Sequence, residues 1–273
     1  MTKAIDRFQQ YLINGRYQKL RQLEQRQKET RQFIRKQLQD KEGKRFEFKK
    51  VGYVGRFVRK IETYTDHKAL IEELTNYLSV SSMIQLDVLN FNPASDDVKT
   101  LVEPFSLPVD TYVKPTLNKA GKAYVNVYKG YYDNYPTILG YMEEVAAYAI
   151  REEKEKAAKK EYEQLMSDLK SELTKSVKTN YGTLSVIQKK PKYDLLALLN
   201  EFDEEFLLEQ CQVKLTEFHE LIEMGILERT FLEPFQQIVD VRVDFILQSI
   251  ESEQRAFEFM EQRKKALQQL LAS

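Results

Sequence analysis

Two thirteen-residue stretches limit what this chain can fold into more than any other feature. Residues 101–113 read LVEPFSLPVDTYV and residues 231–243 read FLEPFQQIVDVRV, with six of thirteen positions identical. Unrelated windows share far fewer, so the chain reads as an internal duplication, which alters the architecture to be expected. Fainter echoes agree. Tyr53-Val54-Gly55 is answered by Tyr181-Gly182, and Ala69-Leu70 by Ala197-Leu198. The offset is 128 residues at the alanine (197 − 69) and 130 at the glutamate of E-P-F (233 − 103), a drift that loop insertions would leave.

The expected fold class is α+β: long coiled-coil helices carrying two related small lobes about a pseudo-twofold. Residues 1–123 form the first unit, 124–136 a tyrosine-rich junction, and 137–273 the second unit with a C-terminal helix. Nine glycines, seven prolines and no tryptophan in 273 residues favour long helices over a many-stranded barrel. Residues 1–39 read as one helix with a weak point at Gly15, and Gly43 stops it. Residues 44–64 read as a β-hairpin holding Gly52 and Gly55. A short helix N-capped by Asp66 follows, then a strand or helix-to-strand passage at 82–91, a helical turn at 95–102, and E-P-F. Residues 110–128 read as an exposed hairpin around 118–121. A second long helix is expected from Thr137 to about Lys175. Its apolar seam is Ile138, Tyr141, Val145 and Tyr148, then Tyr162, Met166, Leu169 and Leu173. Glu152, Glu155 and Lys159 interrupt that seam, so its centre reads as wet or splayed. The pattern then returns: a strand pair at 176–193, a helix capped by Asp194, a strand region at 208–218, a helical turn and E-P-F. A last helix is read from about Asp244 to Leu271, with a stripe of Ile246, Ile250, Phe257, Met260, Leu267 and Leu271.

Charge is concealed by its sum. Lys+Arg and Asp+Glu are 42 each, yet residues 16–60 hold sixteen basic against five acidic side chains, and residues 201–233 hold ten acidic against two basic. The basic excess clusters in both strand pairs: Lys44, Arg45, Lys49, Lys50, Arg56, Arg59 and Lys60 in the first, and Lys175, Lys178, Lys189, Lys190 and Lys192 in the second. Duplex DNA presents a dense line of phosphates that such cations neutralise without reading sequence. Along 16–36 a solvated helix face is the simpler reading. E-P-F reads as structural, its proline suiting a strand start or edge. The tyrosines of 124–135 can stack on bases, but hinge packing is the favoured reading.

The order YGTLSVIQKKPKYDLLALLNEF, CQVKLTEFHELIEMGI and FLEPFQQ resembles the Gam family of phage Mu and its relatives, the host-nuclease inhibitors of bacteriophages. The likeness covers most of 137–243 and, more weakly, 1–113. It implies a helical arm, a basic glycine-containing strand pair, and a fold similar to the core of the Ku end-binding proteins. It implies binding of double-stranded DNA ends by dimers, which blocks exonucleases of the RecBCD or AddAB type. Here the unit stands twice, so one chain can form the body that the family builds from two.

Chemistry is not expected. His67 and His219 lack metal-ligand spacing, and no phosphate loop or nucleophile elbow occurs. Asp96-Asp97 are adjacent on one turn, and Cys211 is alone and reads as buried. The expected protein is non-enzymatic and cofactor-free. The lone cysteine and the lack of a long apolar run point to a reducing cytosol, away from membranes, and the resemblance implies that this is the cytoplasm of a bacterial host. Its expected partner is a double-stranded DNA end. One alternative is a host exonuclease or recombination complex, inhibited by direct contact through the acidic 201–233 segment. Another is a coiled-coil structural component. A monomer and a homo-oligomer paired through the last helix both remain open.

Overall fold

The computed structural model describes residues 3–134, 140–223, 227, 228 and 230–272. The protein is α+β with small sheets. Along the chain lie α1 (Lys3–Ile13), α2 (Arg16–Leu38), β1 (Arg45–Phe48), β2 (Tyr53–Thr65), α3 (His67–Leu74), α4 (Val80–Gln85), β3 (Leu89–Phe91) and α5 (Asp96–Val102). A 3-10 turn (Glu103–Phe105) leads to β4 (Thr111–Leu117), α6 (Lys119–Lys122) and α7 (Tyr131–Asn134). Then come α8 (Tyr141–Glu172), β5 (Val177–Thr179), β6 (Gly182–Gln188), α9 (Leu195–Glu201), α10 (Glu204–Glu209), β7 (Cys211–Val213) and α11 (Leu215–Glu223). A second 3-10 turn (Glu233–Phe235), β8 (Gln236–Ser249) and α12 (Ile250–Ala272) close the chain.

Contacts divide the protein into two compact units, neither of them continuous in sequence, and the tyrosine-rich segment lies inside one of them rather than at a boundary. The first comprises Met1–Val58, Asp110–Lys189 and Val243–Gln254, and the second Arg59–Val109, Lys190–Arg242 and Arg255–Ser273.

In the first unit α1 and α2 both pack on α8. Gly15 sits at φ +69° between them, a left-handed conformation that glycine adopts without a Cβ clash, so the weak point expected there is a break between two helices. The seam of α8 has two apolar ends. Val145 and Tyr148 join Ile34, Leu38, Phe48, Tyr53 and Leu247 in one core. Leu165 and Leu169 join Ile5, Phe8, Leu12, Val113 and Leu184 in another. Between them the charged positions find protein partners: the Tyr53 hydroxyl donates to Glu152, and Lys159 pairs with Glu155 at 2.6 Å. Ile138 and Thr137 lie outside the described residues.

Two sheets contribute to this unit, one with all its strands and the other with β1 and parts of β2 and β8. Their strand orders are β1-β2-β8 and β4-β6-β5. β1 and β2 form the expected hairpin, Phe48 opposite Tyr53, and β5 and β6 the second, Thr179 opposite Gly182. The third strand of each sheet comes from far along the chain. β4 lies antiparallel to β6 over seven register pairs, from Thr111↔Gln188 to Leu117↔Gly182. The hairpin expected around 118–121 is therefore absent. Asn118 instead caps a short helical turn, its carboxamide oxygen accepting from the Gly121 N–H at 2.9 Å. Gly121 packs against the Tyr181 carbonyl so closely that a Cβ there would overlap the oxygen.

The second unit has one core. α3, α4, α9, α10 and α11 enclose the antiparallel pair β3–β7, with Phe91 opposite Cys211 and Leu89 opposite Val213. Asp66 and Asp194 are both N-caps as expected, each accepting from the N–H three residues on, Ala69 and Ala197, at 3.1 Å. Leu70 and Leu198, one residue further, are both wholly buried. The passage at 82–91 is helix to strand, α4 then β3.

Two more expectations are corrected. Each E-P-F is a 3-10 turn with proline in its first turn, where a missing N–H costs nothing, rather than a strand start. Residues 244–249 are strand, not helix: β8 runs to Ser249 and α12 begins only at Ile250, whose N–H donates to the Gly52 carbonyl at 2.8 Å. Phe257 and Met260 do not form a buried seam but are well exposed.

Gly121→Ala is expected to destabilise the protein by about 1–3 kcal/mol, the cost of forcing an atom into filled space. Chemical denaturation checks it. An unchanged midpoint would mean that the β4–β6 end is not packed as described.

Candidate functional site: the basic strand pairs

Of the twelve basic residues singled out by sequence, Lys44, Arg45, Lys49, Lys50, Arg56, Lys175, Lys178 and Lys189 lie in the first unit. Arg59, Lys60, Lys190 and Lys192 lie in the second. The hairpin geometry positions the first group. Lys49 and Lys50 occupy the β1–β2 turn, and Arg45 stands opposite Arg56 in the register. Two like charges directly opposite repel, and the structure resolves this with a buried carboxylate. Glu253 of α12 is almost wholly buried and takes Arg45 at 2.7 Å and Arg56 at 3.8 Å. Arg45 also pairs with Glu47, which Lys49 approaches at 3.8 Å. Hydrogen bonds that it donates to Glu253 and then Glu47 hold the Arg45 guanidinium above its ordinary value, and Arg45 in turn holds the Glu47 carboxyl below its own.

The second strand pair has its own clamp. Asp110 accepts from Lys170 and Lys189, each at 2.6 Å, and its carboxyl is held far below the usual range by those two hydrogen bonds. Asp110 also accepts from the following N–H, Thr111, at 2.9 Å, and Asp240 does the same for Val241 at 2.8 Å. The repeated V-D dipeptide thus has one local geometry at both places.

Arg45, Lys49, Arg56 and Lys189 are therefore partly neutralised by the protein's own carboxylates. Lys44, Lys50, Arg59, Lys60, Lys175, Lys178, Lys190 and Lys192 are all exposed and make no ion pair with another described residue. Sequence reasoning missed Glu253, Asp110 and Lys170, because no local spacing signals a partner 208 or 60 residues away.

The tyrosine-rich segment packs along α2 in the first unit. The Tyr128 N–H donates to Gln22 and its carbonyl accepts from it; Gly130 and Tyr131 N–H groups donate to Glu29. Tyr132 stacks on Phe33 and donates to buried Glu144 at 2.7 Å, burial pushing its phenol up to about 12. Arg26 and Arg151 face the same carboxylate at 3.9 and 3.6 Å. This accords with packing rather than base stacking for Tyr131 and Tyr132; Tyr135 lies outside the described residues.

The remaining candidates have structural surroundings. His67 Nδ1 accepts from the Val213 N–H at 3.2 Å, and Asp96 pairs with Lys99 at 2.7 Å. Cys211 is buried, which pushes its thiol up to about 12. Among the described residues no group of three or more His, Cys, Asp or Glu is placed to hold a metal ion, and no helix is long and apolar enough to cross a membrane. No protein-family model, curated protein or solved structure matches the chain.

The Asp110 clamp predicts a pH dependence. A carboxyl lowered in the folded state contributes stability above its unfolded value, about 4, and loses that contribution as pH falls through the depressed folded value. Asp110→Asn should lower the melting temperature at neutral pH, and the gap to the native protein should close in strong acid. A gap that persists unchanged at low pH would sink this assignment.

Proposed function

We propose that this protein binds double-stranded DNA ends without sequence preference and shields them from exonucleases, as the resemblance to the Gam family implies, in a phage or prophage setting. We also propose that the chain is a tandem duplication that forms a pseudo-twofold body by itself. The run helix, hairpin, short helix, helix, strand, helix, 3-10 turn, strand occurs from α2 to β4 and again from α8 to β8. In each case the last strand lies beside the hairpin of the other run, β4 on β6 and β8 on β2. That reciprocal exchange is what an intertwined dimer would show after fusion into one chain.

The observation carrying the DNA reading is the set of eight exposed cations, from both strand pairs, that no carboxylate among the described residues neutralises. Phosphate binding is driven by such groups, and each one removed lowers the salt slope by about one. No chemistry is needed, since occupying an end excludes a nuclease.

One observation favours a second reading. A cavity of about 770 Å³ in the second unit is lined by Glu72, Glu204, Glu205 and Glu209 beside Lys68, an acidic surface suited to a basic protein partner. Retention of a host protein after nuclease treatment of the lysate would support that reading over DNA.

Exonuclease digestion of blunt linear DNA, with closed circular DNA as the binding competitor, tests the proposal. Protection of the linear form is expected, and reversal of Lys44, Lys50, Lys175 and Lys178 to glutamate should weaken binding by about tenfold or more. Equal preference for closed circles, or no binding at low salt, would overturn it. Glu253→Gln, which removes the charge that Arg45 and Arg56 share and leaves Arg45 only Glu47, should tighten binding rather than weaken it; gel-shift titration measures this.

A further inference from the structure

A cavity of about 500 Å³ lies in the first unit, where α2 packs on α8. Positions 15, 18, 19, 22, 23 and 26 form one wall, and their spacing of three and four puts them on a single face of α2 and its N-cap. Tyr131 and Arg151 complete the lining. Lys19, Arg26 and Arg151 thus bring three positive charges to the cavity, and among the described residues no carboxylate lines it. None of the twelve basic residues of the strand pairs lines it either.

The carboxylates close to Arg26 are engaged elsewhere. Glu144 takes the Tyr132 hydroxyl at 2.7 Å and stands 3.9 Å from Arg26 and 3.6 Å from Arg151, beyond hydrogen-bond reach. Glu29 accepts from Gln25 and from the N–H groups of Gly130 and Tyr131. Gln27 and Thr30 take Arg151 Nε and Nη2 at 3.3 and 2.8 Å and so fix its orientation. Its Nη1 makes no hydrogen bond with a described residue, and Arg26 Nη1 is buried with no such partner. The Arg26 and Arg151 side chains are only 13% and 19% exposed. Burial, and then the charge of Arg26, hold the Arg151 guanidinium below its ordinary value. Two guanidiniums drawn out of water around one shared carboxylate leave a positive charge that an anion would offset.

We propose that this cavity binds a small phosphorylated molecule of mononucleotide size, with its phosphoryl group on Arg26 and Arg151. A planar guanidinium matches phosphoryl oxygens two at a time. Lys19 is exposed at the cavity and, like the Gln18 carboxamide, makes no contact with another described side chain. Leu23 and the Tyr131 ring provide an apolar wall for the body of the ligand. The volume falls in the range of small-molecule sites and exceeds what a bare phosphate fills. Duplex phosphates are met by cations that stand out from a surface, whereas these guanidiniums are mostly buried, so a free small molecule is the better fit. The inference does not depend on the DNA reading.

Isothermal titration calorimetry of the full chain with adenosine monophosphate, inorganic phosphate and adenosine is the test. Saturable one-to-one binding of the monophosphate is expected, with phosphate weaker and adenosine not measurable. Lys19→Glu should weaken monophosphate binding by about tenfold or more. Lys28→Glu makes the same charge change on the opposite face of α2 and should leave binding as it was. Both lysines are exposed, so neither change disturbs a core. Absence of monophosphate binding at millimolar concentration would overturn the proposal. So would adenosine binding as tightly as its monophosphate, or an equal loss in the two variants. A single-stranded oligonucleotide that binds through Lys19 where the monophosphate does not would overturn it too, in favour of nucleic acid.

Discussion

The pairing of β4 with β6 is the constraint on which most of the first unit rests. Seven register pairs tie residues 111–117 to residues 182–188 across a long stretch of intervening chain. Loop closure over that distance is unfavourable, but its cost grows only slowly with length. What offsets it is the core beneath. Val113 and Leu184 are both buried against α1 and α8, so the ladder and the helix packing stabilise one another. Because side chains alternate along a strand, a slip of one residue would turn Val113 to solvent. The register is thus held by burial, and it determines where Asp110 meets Lys170 and Lys189.

A second constraint lies between α2 and α8. Glu144, Tyr132, Thr30, Gln27, Arg26 and Arg151 form a polar cluster in an otherwise apolar contact. Buried ion pairs contribute little net stability, because desolvation opposes attraction. Their value is in discrimination: sliding one helix along the other would strand a carboxylate among apolar groups. The Tyr131–Tyr132 turn adds a lid, Arg26 lying over both rings. The charged centre of α8 fits the same logic, since Glu152 and Glu155 meet a hydroxyl and a lysine there rather than a core.

Local chemistry was legible in the sequence, and partnership was not. Asp66 and Asp194 were readable as caps because an aspartate before an apolar helical run has one favoured use. Both hairpins were readable from alternation and glycine. By contrast, nothing in TYVKPTL says that its partner is GTLSVIQ, since period 2 specifies a face and not a neighbour. The start of the last helix was misplaced because Ile246 and Ile250 fit a helical spacing, although V-D-V-R-V-D just before them alternates as a strand does. The basic residues were found, but a count of charges cannot separate Lys50, which is free, from Arg45, which is tied to Glu253.

The two sheets also show how related sequences part company. V-D stands just before β4 and inside β8, and both aspartates cover the next amide. In one sheet two lysines hold the aspartate and a proline follows, so the edge is closed to further pairing. In the other no cation pairs with the aspartate among the described residues, phenylalanine stands where the proline would be, and the strand is fourteen residues long. A few substitutions therefore suffice to change what an outer strand presents, while the aspartate's hydrogen bond to the next amide stays as it was.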